Sequence, residues 1–134
     1  MIIVLDTDVS SLIIKHQLPR AFQARLAGAL LCVTFVTVGE LRLWVELHGD
    51  HWSQERHDDL VSWTRDLVTL PSTREACHAW DALSAATMKR GQRRPQNDSW
   101  IAASCIARGL PLAIRNVKDF SYFAEHHGLD LITE

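Results

Sequence analysis

Cysteine is scarce, and its placement excludes two fold classes. Cys32, Cys77 and Cys105 are odd in number and widely spaced, with no CxxC pair and no zinc spacing, so neither a disulfide framework nor a structural zinc site is expected. Each lies in an apolar stretch, and all three read as small buried hydrophobes in a reducing compartment. Long apolar runs are missing too, so no segment should cross a bilayer. Met1 leads straight into the short run Ile2 to Leu5, which ends at Asp6. That start has none of the marks of a secretory leader, and a cytoplasmic protein is expected. Neither sign of charge dominates: 14 Lys and Arg oppose 16 Asp and Glu, a net charge of −2. Bulk charge therefore does not advertise nucleic-acid binding, and only a local patch could supply it. The chain contains no Walker-type glycine loop, no GxGxxG and no GxSxG. Repeats, low-complexity segments and linkers are also missing, so residues 1–134 fit one domain.

Apolar residues make up 47% of the chain, enough for a substantial core. Ile2 to Leu5 is too short for a helix and reads as a buried strand. Asp6-Thr7-Asp8 then offers caps for a helix over Val9 to Lys15. Pro19 starts a helix over Arg20 to Ala27 that stops at Gly28. Leu31 to Phe35 is strand-like, and Thr37 is placed to cap a helix from Val38 through Leu47. His51 to Asp58 reads as a loop or a helix start, and Leu60, Val61, Trp63, Thr64, Leu67 and Val68 recur at helical spacing. Val68 to Leu70 is a short strand before Pro71. Thr73 opens a long helix to Arg90 with Ala76, Cys77, Trp80, Leu83, Ala86 and Thr87 on one face. Asn97 or Asp98 begins the next helix, closed by Gly109. Leu112 to Ile114, Asp119 to His126 and Leu129 to Ile132 read as strand, helix and strand. This alternation predicts a three-layer α/β domain with a mostly parallel central sheet flanked by helices. The helices between Phe35 and Pro71 look like an inserted arm.

Four acids then stand out. Asp6 ends the first strand, Glu40 follows the second, Asp98 opens a helix, and Asp119 follows the strand Leu112 to Ile114. Carboxylates beside core segments are costly unless something pairs with them. Sites in open α/β sheets form outside the carboxyl ends of the strands, so all four could share one pocket. Hard oxygen donors suit Mg²⁺ or Mn²⁺. A cation there would activate water for attack on phosphorus and offset charge on the leaving oxygen. Taken singly, Asp6, Asp98 and Asp119 serve equally well as caps or first-turn dipole partners, and Glu40 as a solvent-facing acid.

Val4-Leu5-Asp6-Thr7-Asp8, Thr37-Val38-Gly39-Glu40-Leu41, Asn97-Asp98-Ser99-Trp100-Ile101-Ala102-Ala103 and Arg115-Asn116-Val117-Lys118-Asp119-Phe120 resemble, in order, the motifs of the PIN-domain family. They look most like its VapC-type toxins, the ribonuclease halves of toxin–antitoxin pairs. The resemblance covers the whole chain. It implies a Mg²⁺- or Mn²⁺-dependent endoribonuclease, a partner antitoxin that binds over the active site, and a homodimer. Metal and catalytic positions map to Asp6, Glu40, Asp98 and Asp119, with Asn116 the alternative to Asp119. Asp8 stands where asparagine or serine is frequent, which leaves its role open.

Thr7 and Ser99 flank the acids and are assigned secondary roles, capping or holding water. Lys89, Arg90, Arg93 and Arg94 precede Asp98 and are expected to meet RNA phosphates. Trp63, Trp80 and Trp100 read as core, while Trp44 and Trp52 would meet an antitoxin or a second subunit. His51, His57, His126 and His127 read as surface residues. Two other functions compete. Asp6-Thr7-Asp8-Val9 also resembles the DxD start of haloacid-dehalogenase-type phosphatases, with Asp6 as nucleophile, and the same fold could be a non-catalytic binding module.

Overall fold

Strand β1 (Ile2–Leu5) has no polar face because it lies in the middle of a sheet covered on both sides. In this computed structural model, which describes all 134 residues, alternate side chains of β1 enter different layers. Val4 shares a core with Cys32, Leu112, Ile101 and Phe123, whereas Ile3 and Leu5 share another with Val9, Phe22, Val33 and Ala113.

After β1 come α1 (Thr7–Ile14), α2 (Arg20–Leu26), β2 (Leu30–Thr34) and α3 (Phe35–His48). A 3-10 turn (Gly49–His51) leads to α4 (Gln54–Asp66), β3 (Val68–Leu70) and α5 (Arg74–Lys89). Then follow α6 (Gln96–Arg108), β4 (Leu112–Ala113), α7 (Val117–His127) and β5 (Leu131–Ile132). The sheet order is β3-β2-β1-β4-β5, and every neighbouring pair is parallel. The chain winds from β1 outward through β2 to β3. It then returns to the other side of β1, where β4 pairs Leu112 with Val4 and Ala113 with Leu5. That reversal is a topological switch point, and its crevice opens at the carboxyl ends of β1 and β4.

A third cluster, Ile14, Leu41 and Leu60, ties α1 to α3 and α4, with Trp44, Trp52 and Trp63 packed against it. The expected inserted arm is therefore the crossover between the parallel neighbours β2 and β3. Thr34, not Thr37, caps α3: its hydroxyl accepts the Thr37 N–H at 3.3 Å. The strand-like run Phe35 to Val38 is helical because Thr34 supplies the earlier stop. Most of the ambiguous stretch His51 to Asp58 belongs to α4, which Ser53 caps. That helix ends at Asp66, so Leu67 becomes its C-cap and Val68 the first residue of β3. Helix α6 starts ahead of Asn97, at Gln96, and α7 starts two residues before Asp119. Cys77 is exposed, in contrast to Cys32 and Cys105. It sits one position off the buried stripe Ala76, Leu83 and Thr87. Trp63, Trp80 and Trp100 are half-buried instead of fully enclosed. No helix is long and apolar enough to cross a membrane.

Candidate active site

Asp6 follows β1 directly and is buried. Its N–H donates to the Ala113 carbonyl at 3.1 Å, which pins it across the β1–β4 switch point. One carboxylate oxygen, Oδ1, accepts the Val9 N–H at 2.7 Å and so caps α1. The cap and the site are thus the same residue.

Thr7 links α1 to α3. Its Oγ1 donates to Glu40 Oε1 at 2.7 Å and lies 3.0 Å from Thr37 Oγ1. A hydroxyl has one proton, so Thr37 must donate to Thr7 while Thr7 donates to Glu40. This relay fixes Glu40, whose charge reaches Asp98. Asp98 and Asp119 sit in the first turns of α6 and α7, where the helix dipole favours a negative side chain.

Asp6, Asp8, Glu40, Asp98 and Asp119 line one cleft of about 150 Å³, walled by Thr7, Trp44, Ile101 and Phe120. Burial pushes the Asp6 carboxyl up to about 7, and the charges of Asp8, Asp98 and Asp119 add to the rise, against the pull of the Val9 N–H. Burial likewise lifts Asp98 to about 6, with Asp119, Glu40 and Asp8 contributing and Arg94 opposing. The carboxylates therefore feel one another across the cleft. No three His, Cys, Asp or Glu side chains close up tightly enough to enclose an ion by themselves. Glu40 is occupied by Thr7, and one oxygen of Asp6 by Val9. An open, all-oxygen set of this kind fits a hard cation that keeps much of its water and takes one or two protein carboxylates.

Other candidates lie elsewhere. Asn116 is exposed at the N-cap position of α7 without a side-chain cap bond, and it does not line the cleft. Ser99 is buried, and its Oγ donates to the Pro95 carbonyl at 2.9 Å, outside the cleft. Lys89 is exposed at the end of α5. Arg90 Nη1 donates to Tyr122 Oη at 3.0 Å, and the Arg94 guanidinium lies 5.0 Å from the Tyr122 ring centroid. Part of the basic stretch is thus anchored on α7. Trp44 and Ile101 were not among the expected site residues. The available signal was helical spacing, since Trp44 is four residues after Glu40 and Ile101 three after Asp98.

The family model of the PIN domain matches residues 3–126. The chain belongs to the PIN-domain family. Ribonuclease VapC5 of Mycobacterium tuberculosis is 30% identical to this PIN domain over 109 residues, 81% of this chain and 78% of that protein. Ribonuclease VapC4 of the same organism is 32% identical over 88 residues, 66% of this chain and 68% of its own length. Among solved structures, a toxin–antitoxin complex, VapBC-5 of M. tuberculosis, has a chain that superposes with a TM-score of 0.72 at 29% identity, covering 99% of this chain and 98% of that one. VapBC2 of Rickettsia felis, solved bound to promoter DNA, gives a TM-score of 0.80 at 20% identity over 100% and 99% of the two chains. The latter supports the fold of this PIN domain alone.

Proposed function

We propose that this PIN domain is a Mg²⁺- or Mn²⁺-dependent endoribonuclease, the toxin of a toxin–antitoxin pair. The observation that carries the reading is the gathering of Asp6, Glu40, Asp98 and Asp119 in one cleft at the switch point. The ribonuclease relatives and the toxin–antitoxin structure support RNA as the substrate and an antitoxin as the partner. One or two of Asp6, Asp98 and Asp119 would hold the cation directly and the others through its water, with Glu40 placed by Thr7 as an acceptor beside it. When bound, the cation supplies Lewis-acid stabilisation of the attacked phosphate and of the leaving oxygen. Asp6 at about 7 and Asp98 at about 6 lose their protons around neutrality, so whichever is ionised and not facing the cation would accept the proton of the attacking water. Ile101 and Phe120 give the cleft an apolar wall that strengthens these electrostatics. Asp8 is exposed at the rim, where it adds negative charge. Asn116, outside the cleft, is left with a role in water or RNA contact at most. A phosphatase of the haloacid-dehalogenase type is set aside by the family match.

The cognate antitoxin is expected over the cleft and the adjoining groove of about 390 Å³ between α1, α3 and α4, lined by Leu41, Trp44, Trp52 and Leu60. Trp44 borders both cavities. Homodimerisation belongs to the same proposal. Purified chain free of antitoxin should cleave single-stranded RNA with Mg²⁺ or Mn²⁺, and Asp6→Asn or excess EDTA should abolish cleavage. Cleavage that persists in excess EDTA would falsify the mechanism.

A further inference from the structure

A second cavity, about 200 Å³, lies between α5 and the start of α6, with Trp80, Ser84, Thr87, Arg93, Arg94 and Ser99 on its walls. Its chemistry is one-sided. Trp80 Nε1 and Arg94 Nε are both buried, and neither has an acceptor. Indole and guanidinium nitrogens donate and never accept. The hydroxyls nearby do not relieve them: those of Thr87 and Ser99 are turned to the Ser84 and Pro95 carbonyls, at 2.9 Å each, and neither lies within hydrogen-bond reach of the two nitrogens. No carboxylate lines the cavity. Two orphaned donors, a second arginine and no negative charge make a lining complementary to an anion.

The donors are also held in place. The Trp80 indole stacks on Trp100 with centroids 4.8 Å apart and planes 6° from parallel. Arg94 lies over the Tyr122 ring. Fixed donors lose little freedom when an acceptor arrives. The first turns of α6 form the wall between this cavity and the acid cleft. Gln96 and Ser99 border the one, and Asp98 and Ile101 border the other.

We propose that this cavity is a phosphate subsite: Trp80 Nε1, Arg94 and Arg93 hold a backbone phosphate of the RNA that flanks the one being cleaved. The assignment rests on the nuclease reading above. It accounts for two buried donors that the folded chain leaves unsatisfied, since the substrate completes them. The subsite also lets a chain of net negative charge grip RNA on one side of an acidic cleft.

The test is binding of a single-stranded RNA oligonucleotide to the full chain in EDTA, by fluorescence anisotropy, with thermal unfolding read in parallel. Trp80→Phe keeps the stack and removes the N–H. It should raise the Kd roughly ten-fold, with a Tm equal to or above that of the parent, because an unsatisfied buried donor is gone. Arg94→Lys keeps the charge but loses the planar fork, and should weaken binding to a similar degree. An unchanged Kd for Trp80→Phe overturns the subsite, and so does weaker binding accompanied by a lower Tm. Cleavage by the parent chain with Mg²⁺ is scored separately. RNA that is bound but uncut rejects the nuclease and retains the subsite, and RNA that is cut while Trp80→Phe binds normally does the reverse.

Discussion

Asp6 performs two tasks that pull in opposite directions. As a cap it must offer a carboxylate oxygen to Val9, and as a member of an acidic cleft it is pressed to stay protonated. An unfolded aspartate titrates near 4, whereas Asp6 and Asp98 in the folded chain are raised to about 7 and about 6. The folded state therefore binds more protons between those values, and stability falls as pH rises through that window. In thermal melts with EDTA, the Tm should decline between about pH 4 and pH 7. Asp6→Asn should flatten the decline, and Mg²⁺ should restore the Tm most strongly above pH 7. A Tm that rises over this window would contradict the placement of these two carboxyls. Of the candidates, Asp6 is the most legible from sequence, because a carboxylate that ends a fully apolar strand has few places to go. Asp119 against Asn116 is not legible in the same way: both follow β4, and only the phase of α7, which begins at Val117, turns one into the cleft and leaves the other outside.

Among the elements, α3 shows best where local sequence misleads. Phe35, Val36 and Val38 favour strands, and Thr37 is as good a cap by type as Thr34. Packing decides between them, because Val36 joins the core above the sheet and Thr37 is buried against Thr7. Thr34→Ala removes the cap of α3 and should cost about 1 kcal/mol of stability, measurable by urea unfolding. A loss of similar size from Thr37→Ala would not restore Thr37 as the cap, since that residue also donates within the Thr7–Glu40 relay. Helix existence is read correctly along the chain, while helix starts at Gln96 and Val117 fall one or two residues earlier than expected. Helices start where the backbone geometry allows, and Pro95 and Asn116 take those N-cap positions without any side-chain cap bond. Cys77 is misread because its neighbours are apolar, although a shift of one residue turns a helical side chain by about 100°.

At the scale of the whole molecule, a parallel sheet follows from the alternation of strand and helix, and the order of the strands does not. Hydrophobic period fixes that β1 is buried on both faces but says nothing of which strand stands beside it. The groove between α1, α3 and α4 and the acid cleft share Trp44, so one partner can cover both. Replacing Trp44 and Trp52 together by alanine should weaken a co-expressed antitoxin's hold by 10-fold or more, roughly the loss of one aromatic anchor. Unchanged co-purification would reject the groove as its seat. On the opposite flank, Arg93→Ala with Arg94→Ala should lower the slope of log K against log salt for single-stranded RNA by about 0.7, the share of the one phosphate they hold. Identical slopes would show that neither arginine meets the RNA backbone.

The switch point has a consequence in time as well as in space. The strand that sits against β1 and receives the Asp6 N–H is made of residues 112 and 113, and Asp119 comes later still. During synthesis, Asp6, Glu40 and Asp98 are all translated before the segment that sets them edge to edge. The acid cleft therefore cannot assemble until both β4 and the first turn of α7 have been made, so its parts, though far apart in order of synthesis, come together in a single late step.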